Sequence, residues 1–267
     1  RIAKVAAGLG AGGAVAAAVG KRVTGAAMAP VNQFMAHEDA MLGVARQVPG
    51  ARDEMGRLTE VYRQAEREVR ELSESIPLAT TEIAAMYTAA ARMEVPTEHL
   101  REQVKLAAEM AIAFDAVPDE IAESMGKVAK NYQMPVTAIR GLADAINYLD
   151  DNAISKGSDI IDFLNRTSGV VSTVAMTAQQ AAALGSTLLT LGERGETAST
   201  ATNAIVQKLA AATKGTKKMR AALEEIGIAP EAVQKGMAAD AIGTLTKVMD
   251  SIRAMPKDQR IGIMVEL

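Results

Sequence analysis

Side chains that could carry chemistry are few in this sequence. Its 267 residues include two histidines, His37 and His99, and no cysteine, which excludes disulfides, thiolate metal sites and cysteine nucleophiles. His37 lies on an apolar seam and His99 in the first turn after Pro96, so both are interpreted as packing or surface residues. No pair has the spacing of metal ligands. The sequence therefore predicts no catalytic, cofactor-binding or metal-binding residue.

Carboxylate pairs and one basic cluster are the remaining chemical candidates. A glycosidase needs two carboxylates that face each other across a sugar cleft. Asp150 and Asp151 instead close a helix before a loop, where we expect solvated side chains, and Asp159 and Asp162 lie three apart on another helix. The cluster Lys214-Gly-Thr-Lys217-Lys218 could contact a phosphate, but DNA binding requires more charge. We interpret it as a solvated loop before a helix.

The composition favours helices that pack closely along narrow seams. Hydrophobic residues make up 49% of the chain but aromatic residues only 3%, so Ala, Val, Leu, Ile and Met dominate the apolar content. Ligand pockets are usually lined in part by aromatic rings, and their scarcity argues against an enzyme. The formal net charge of −3 lacks the basic excess of a nucleic-acid-binding domain. No specific nucleic-acid partner is expected.

The first segment, residues 1–29, is rich in Ala and Gly. From Val5 to Gly20 the run contains only Ala, Gly, Val and Leu, and it is shorter than the roughly 20 apolar residues of a membrane-spanning helix. We interpret it as a flexible or closely packed helix, with a membrane-active segment as the alternative. A signal peptide is least favoured, since the chain starts at Arg1 and is expected to be a piece of a longer polypeptide.

The second segment, residues 30–76, carries a heptad pattern that predicts long amphipathic, coiled-coil-like helices. Apolar residues alternate three and four apart, and Pro49-Gly50 is expected to kink or break the helix. Such a seam must be buried, either against downstream helices or against other copies of the chain. We name these residues the heptad seam: Met41, Val44, Val48, Ala51, Met55, Leu58, Tyr62, Ala65, Val69, Leu72 and Ile76.

The third segment, residues 77–267, predicts an array of short helices. Proline is favoured at the first helical position because its missing N–H would be unpaired there. Six prolines lie at or near a predicted helix start, and Gly192-Glu-Arg-Gly195 predicts a turn between helices. No convincing strand pair is found, so the predicted fold class is all-α. The six prolines are Pro77, Pro96, Pro118, Pro135, Pro230 and Pro256.

A series of motifs runs in order through residues 30–267. They are Phe34-Met-Ala-His-Glu-Asp-Ala-Met-Leu-Gly-Val, Ile76-Pro77 with Thr81-Glu-Ile-Ala84, Ala107-Ala-Glu-Met110 with Ala113-Phe-Asp115, Ala181-Ala-Ala-Leu184, Gly195-Glu-Thr-Ala198 with Thr200 and Leu209, Ala222-Leu223, Ile226-Gly-Ile228 and Asp240-Ala-Ile-Gly243. In this order they resemble the core region of the tail tape measure family of long-tailed bacteriophages and prophages. The Glu-Thr pair after Gly195 and the Ala/Gly-rich start depart from the family pattern.

The resemblance implies a non-enzymatic, length-determining ruler inside a growing tail tube. The implied partners are the tail tube protein, the tail assembly chaperones and the baseplate hub. The implied location is the virion, in the tail tube lumen, after assembly in the host cytoplasm. Contact with the host membrane through residues 5–20 is implied for genome ejection. Because the heptad seam could bundle several copies, a homo-oligomer is expected.

Three alternatives use the same features differently. A membrane-active, pore-forming or toxin-like helical protein would bind liposomes through residues 1–29. A wall hydrolase embedded in a tape measure protein would need catalytic groups from outside this sequence. A cytoplasmic coiled-coil scaffold unrelated to phage would explain the heptads but not the ordered motifs from residue 76 to 267.

Overall fold

A computed structural model describes residues 32–267, which fall into two compact units that divide between Thr88 and Ala89. The described residues form α-helices, one short 3-10 helix and a single isolated β-bridge between Arg52 and Leu58, without a strand. The predicted all-α class is confirmed. Residues 1–29, including the run from Val5 to Gly20, lie outside the described residues.

The described helices are nine to seventeen residues long, as the sequence predicts for an array of short helices. Their bounds are α1 32–47, α2 Glu60–Ser75, α3 Thr80–Arg92, α4 Thr97–Ala113, α5 Pro118–Asn131, α6 Val136–Asn152, α7 Gly157–Val171, α8 Ala178–Thr190, α9 Gly195–Ala210, a 3-10 turn Ala212–Lys214, α10 Lys217–Glu225, α11 Pro230–Ala239, α12 Ala241–Ala254 and α13 Lys257–Glu266.

The heptad seam is divided between α1 and α2 rather than carried by one long helix. The chain leaves α1 just before Pro49, and Gly50 adopts a φ of +79°, a conformation that glycine reaches without steric cost. Asp53 then accepts hydrogen bonds from the backbone N–H groups of Met55 and Arg57, which closes a tight turn. The predicted break is confirmed, but the helical reading of the seam between residues 48 and 59 is wrong.

Prolines mark the helix starts as predicted. Pro118 and Pro230 are the first residues of α5 and α11, and Pro96, Pro135 and Pro256 immediately precede their helices. At these positions proline removes no helical hydrogen bond and its φ is already helical. Pro77 is the exception, since α3 begins three residues later.

The ends of three successive helices share one backbone motif. Glu94, Asp115 and Gln133 follow α3, α4 and α5 with φ values of 62°, 48° and 52°. In each case the next residue donates its N–H to a carbonyl five residues back: Val95 to Ala90, Ala116 to Ala111 and Met134 to Ala129. This is the Schellman pattern, which satisfies carbonyls at a helix end and usually places glycine at the left-handed position. In these three helix ends, residues other than glycine occupy the left-handed position.

The second unit is an array of two helical layers. Successive helices from α4 to α9 contact each other, and so do the alternate pairs α4 and α6, α5 and α7, α6 and α8, α7 and α9, and α9 and α11. One layer therefore contains α4, α6 and α8, and the other contains α5, α7, α9 and α11. Four-residue connections join most successive helices, so successive helices run antiparallel and helices within one layer run parallel. The core lies between the layers, where Phe163 is fully buried against Gly185.

Candidate functional site

The two histidines lie in unrelated surroundings. His37 is partly exposed on α1, and His99 is exposed in the first turn of α4. Among the described residues, no group of three or more His, Asp or Glu side chains is arranged to hold a metal ion. Both side chains therefore lie at the surface of their helices.

The Asp150-Asp151 pair has a structural role that sequence reasoning missed. Asp151 is exposed as expected, but Asp150 is half-buried and its Oδ1 accepts a hydrogen bond from the Gly157 backbone N–H. Gly157 is the first residue of α7, where N–H groups lack helical partners and the helix dipole favours a negative charge. The interpretation of both side chains as solvated is therefore wrong for Asp150, which caps α7.

Two of the other charged candidates form ion pairs. Asp162 pairs with Arg166 at 2.7 Å between Oδ2 and Nε, one helical turn away, and this hydrogen bond raises the pKa of Arg166. In the basic cluster, Lys218 Nζ lies 3.3 Å from Glu266 Oε1, while Lys214 and Lys217 are exposed. The lysines are exposed as predicted, but the interpretation of the cluster as a loop is wrong, because Lys214 ends the 3-10 turn and Lys217 and Lys218 form the first turn of α10.

Most of the heptad seam is buried within the folded chain. Eight of its eleven members are between 0% and 7% exposed and Tyr62 is half-buried, whereas Met55 and Leu58 project from the turn between α1 and α2. α3 contributes to this packing. The Tyr87 hydroxyl donates to Glu68 Oε2 at 2.8 Å, and Gly43 of α1 lies against the Thr88 side chain. The sequence left two alternatives for burying the seam, against downstream helices or against other copies of the chain. The packing favours burial against helices of the same chain.

A small cavity of about 210 Å³ lies at the start of the second unit. It contains the side chain of Gln103, which is 1% exposed and whose Oε1 has no hydrogen-bond partner in the described protein. At its rim Lys130 Nζ donates to Glu94 Oε2 at 2.7 Å, and this contact lowers the pKa of Glu94. The volume suits several waters, which would satisfy a buried carbonyl oxygen, more than an organic cofactor.

Gln103 could have been found in the sequence. It lies three residues after Leu100 and seven before Met110 on α4, so it falls on the apolar face of that helix. A polar residue on such a face needs a partner inside the protein. The signal identifies a buried polar group, and it does not by itself identify a chemical role.

A second groove, with a volume of about 510 Å³, lies between α8 and α12. Leu184, Leu245 and Met249 line it, with Asp250 and Arg253 also at its wall. Its size is typical of ligand sites, but none of its lining residues is aromatic and the groove is open to solvent. The described geometry thus offers packing surfaces and helix-capping groups.

Comparison with known proteins assigns the family. The family model described as phage-related minor tail protein matches residues 66–267, which include most of α2 and every later helix. This chain belongs to the phage-related minor tail protein family. The resemblance noted from the motifs is therefore confirmed, and family membership identifies the chain as a structural component of phage tails.

A curated relative of this minor tail protein is the probable tape measure protein of Halomonas phage phiHAP-1. The two are 28% identical over 244 residues, which cover 88% of this chain and 28% of that relative. The chain thus spans between a quarter and a third of the relative's length. No solved structure matches the chain. Within residues 32–267, no helix is both long and apolar enough to cross a membrane.

Proposed function

We propose that this chain is part of the length-determining ruler of a long phage tail, on which tail tube subunits polymerise. The observation that carries the proposal is its similarity to a probable tape measure protein along 88% of the chain. The helical array agrees with a structural role, and we propose that the chain is not an enzyme.

The proposed partners follow from this role. We propose contact with the tail tube protein, the tail assembly chaperones and the baseplate hub, and a location in the tail tube lumen after assembly in the host cytoplasm. A homo-oligomer remains a prediction, and it needs a surface other than the buried heptad seam. Membrane contact through residues 5–20 also remains a prediction, supported by the apolar run and its flanking Lys4, Lys21 and Arg22.

The ruler proposal is tested by measuring tail lengths in electron micrographs after deleting the second unit, Ala89–Leu267, from the parent gene. As a single extended helix this segment would span roughly 270 Å at about 1.5 Å per residue. As the folded two-layer array, with neighbouring helices about 8–10 Å apart, it would span only a few tens of Å. A ruler therefore predicts shorter tails, and the amount distinguishes the extended from the folded form.

A tandem duplication of the same residues is the matched control, because it leaves the native chain uninterrupted up to Leu267. It must lengthen the tails by the amount that the deletion removes, in steps of whole tube rings. Unchanged lengths in both variants would refute the ruler proposal for this segment. If the deletion abolishes tails, the duplication alone decides the question.

A further inference from the structure

One edge of the second unit presents a row of exposed apolar side chains. The connections α4–α5, α6–α7 and α8–α9 lie at this edge, because α4, α6 and α8 run parallel in one layer. Two contacts agree with this placement: the Phe114 ring of the α4–α5 connection packs on Gly157 at the start of α7, and Ser155 Oγ of the α6–α7 connection lies 2.7 Å from Ser186 Oγ of α8. The edge row consists of Ile112, Val117, Tyr148, Ile154 and Leu191, which are between 43% and 81% exposed.

The opposite edge, at connections α3–α4, α5–α6 and α7–α8, is built differently. There the apolar side chains turn inward, since Val95 and Met134 are half-buried and Met176 is buried. Exposure of large apolar residues is therefore not a general property of these short connections. Exposed apolar residues grouped on one edge of a protein typically mark an interaction site.

The charges around the edge row indicate the chemistry of its partner. The three connections, together with the last helical turns before them and the first turns after them, carry seven exposed carboxylates but only two exposed cations, Lys156 and Arg194. A second copy that docked through the same edge would bring carboxylates against carboxylates, which is unfavourable. The exposed carboxylates are Asp115, Asp119, Glu120, Asp151, Asp159, Glu193 and Glu196.

The spacing of the row favours a helical partner. Parallel helices within one layer pack about 8–10 Å apart, so the row presents an apolar position at about that interval. Two turns of an α-helix rise about 10.5 Å, so apolar residues seven positions apart on one helix match the row. We propose that this edge docks an amphipathic helix of another protein, with apolar residues at heptad spacing flanked by Lys and Arg.

The test uses two fluorescent 21-residue helical peptides and the full chain. Both peptides carry Leu at heptad spacing, and the flanking positions are Lys in one and Glu in the other. Fluorescence anisotropy is expected to give at least tenfold tighter binding of the Lys peptide, with affinity falling as salt rises. The combined variant Val117→Ser, Ile154→Ser, Leu191→Ser is expected to weaken that binding at least tenfold.

A matched control separates this edge from general surface hydrophobicity. The combined variant Met249→Ser, Ile261→Ser, Val265→Ser removes three similarly exposed apolar side chains elsewhere on the second unit and should bind the Lys peptide like wild type. Circular dichroism must show equal helicity in all three proteins. Equal binding of both peptides, no binding, or equal loss in both variants would overturn the proposal. So would a dimer, seen by sedimentation, that the edge variant abolishes, because a second copy would then be the occupant.

Discussion

Gly185→Ala tests the packing between the two layers of the second unit. Gly185 lies in the middle of α8, and a Cβ at this position would fall 2.4–2.8 Å from three carbons of the Phe163 ring. Ordinary carbon contacts are about 3.5–4.0 Å, so the ring would have to move by about 1 Å. Phe163 is fully buried, and its neighbours leave it little room for that movement.

Two opposing effects set the magnitude. Alanine gains about 1 kcal/mol over glycine inside a helix, while overpacking a core typically costs 1–3 kcal/mol. With three ring carbons in conflict we take the upper value, so the net loss of unfolding free energy is about 2 kcal/mol. For a chain of this size that corresponds to a fall in Tm of about 4–8 °C.

Gly141→Ala is the control, because Gly141 is exposed inside α6 with nothing within 4 Å of its Cβ position. Only the propensity gain applies there, so the urea midpoint, followed by circular dichroism, should rise. The double variant Gly185→Ala, Phe163→Leu should lose less unfolding free energy than the sum of the two single variants. The difference is the coupling energy of the two sites, and it should account for much of the overpacking cost. If Gly185→Ala stabilises the chain as much as Gly141→Ala does, the described packing of α7 on α8 is wrong.

Two further predictions concern the end of α5. In a urea titration, Gln133→Gly should raise the unfolding free energy by about 0.5–1 kcal/mol. Glycine relieves a left-handed strain of about 1–2 kcal/mol, and the greater chain entropy of the unfolded glycine variant cancels part of that gain. Gly227→Ala, at a φ of 78°, should lower the unfolding free energy for the same reason. Tyr132→Phe should raise it by about 1 kcal/mol, since the Tyr132 hydroxyl is buried without a partner in the described protein. Burial also raises the pKa of Tyr132. Above about pH 10 the phenol therefore ionises in the unfolded chain before it does so in the folded one, and the wild type should lose stability. The Phe variant should lose less stability over the same pH range. A lower midpoint for either Gln133→Gly or Tyr132→Phe would contradict the described geometry.

The helix starts were predictable because they depend on neighbouring residues only. A proline with a carboxylate in the following turn identifies a first turn whatever the helix packs against, and Pro118 followed by Asp119 does so in α5. The break at Pro49-Gly50 is local in the same sense. These features require no knowledge of the partner helix, so one sequence suffices.

The heptad spacing predicted a helix wrongly at residues 48–59, because a turn there happens to keep apolar residues three and four apart. Residues 48–59 place Met55 and Leu58 at heptad positions, yet both are exposed, because the pattern counts residues and cannot detect that the backbone has reversed. The left-handed Gln133 was equally hidden, since glycine is the usual signal for that conformation. The edge row could not be predicted from the sequence either, because its formation depends on which helices lie side by side in the fold.

The burial pattern also bears on which form of the ruler to expect. Leu142, Ile146, Ile160 and Phe163 lie between the two layers of the second unit and are fully buried. Stretching the array into a single helix would return such side chains to water, at about 25 cal/mol for each Å² of apolar surface. An extended ruler would therefore need another apolar surface along its whole length, whereas the folded array needs none. We accordingly expect deletion of Ala89–Leu267 to shorten the tail by a few tens of Å, and a loss near 270 Å would mean that the tube or neighbouring copies cover the exposed core.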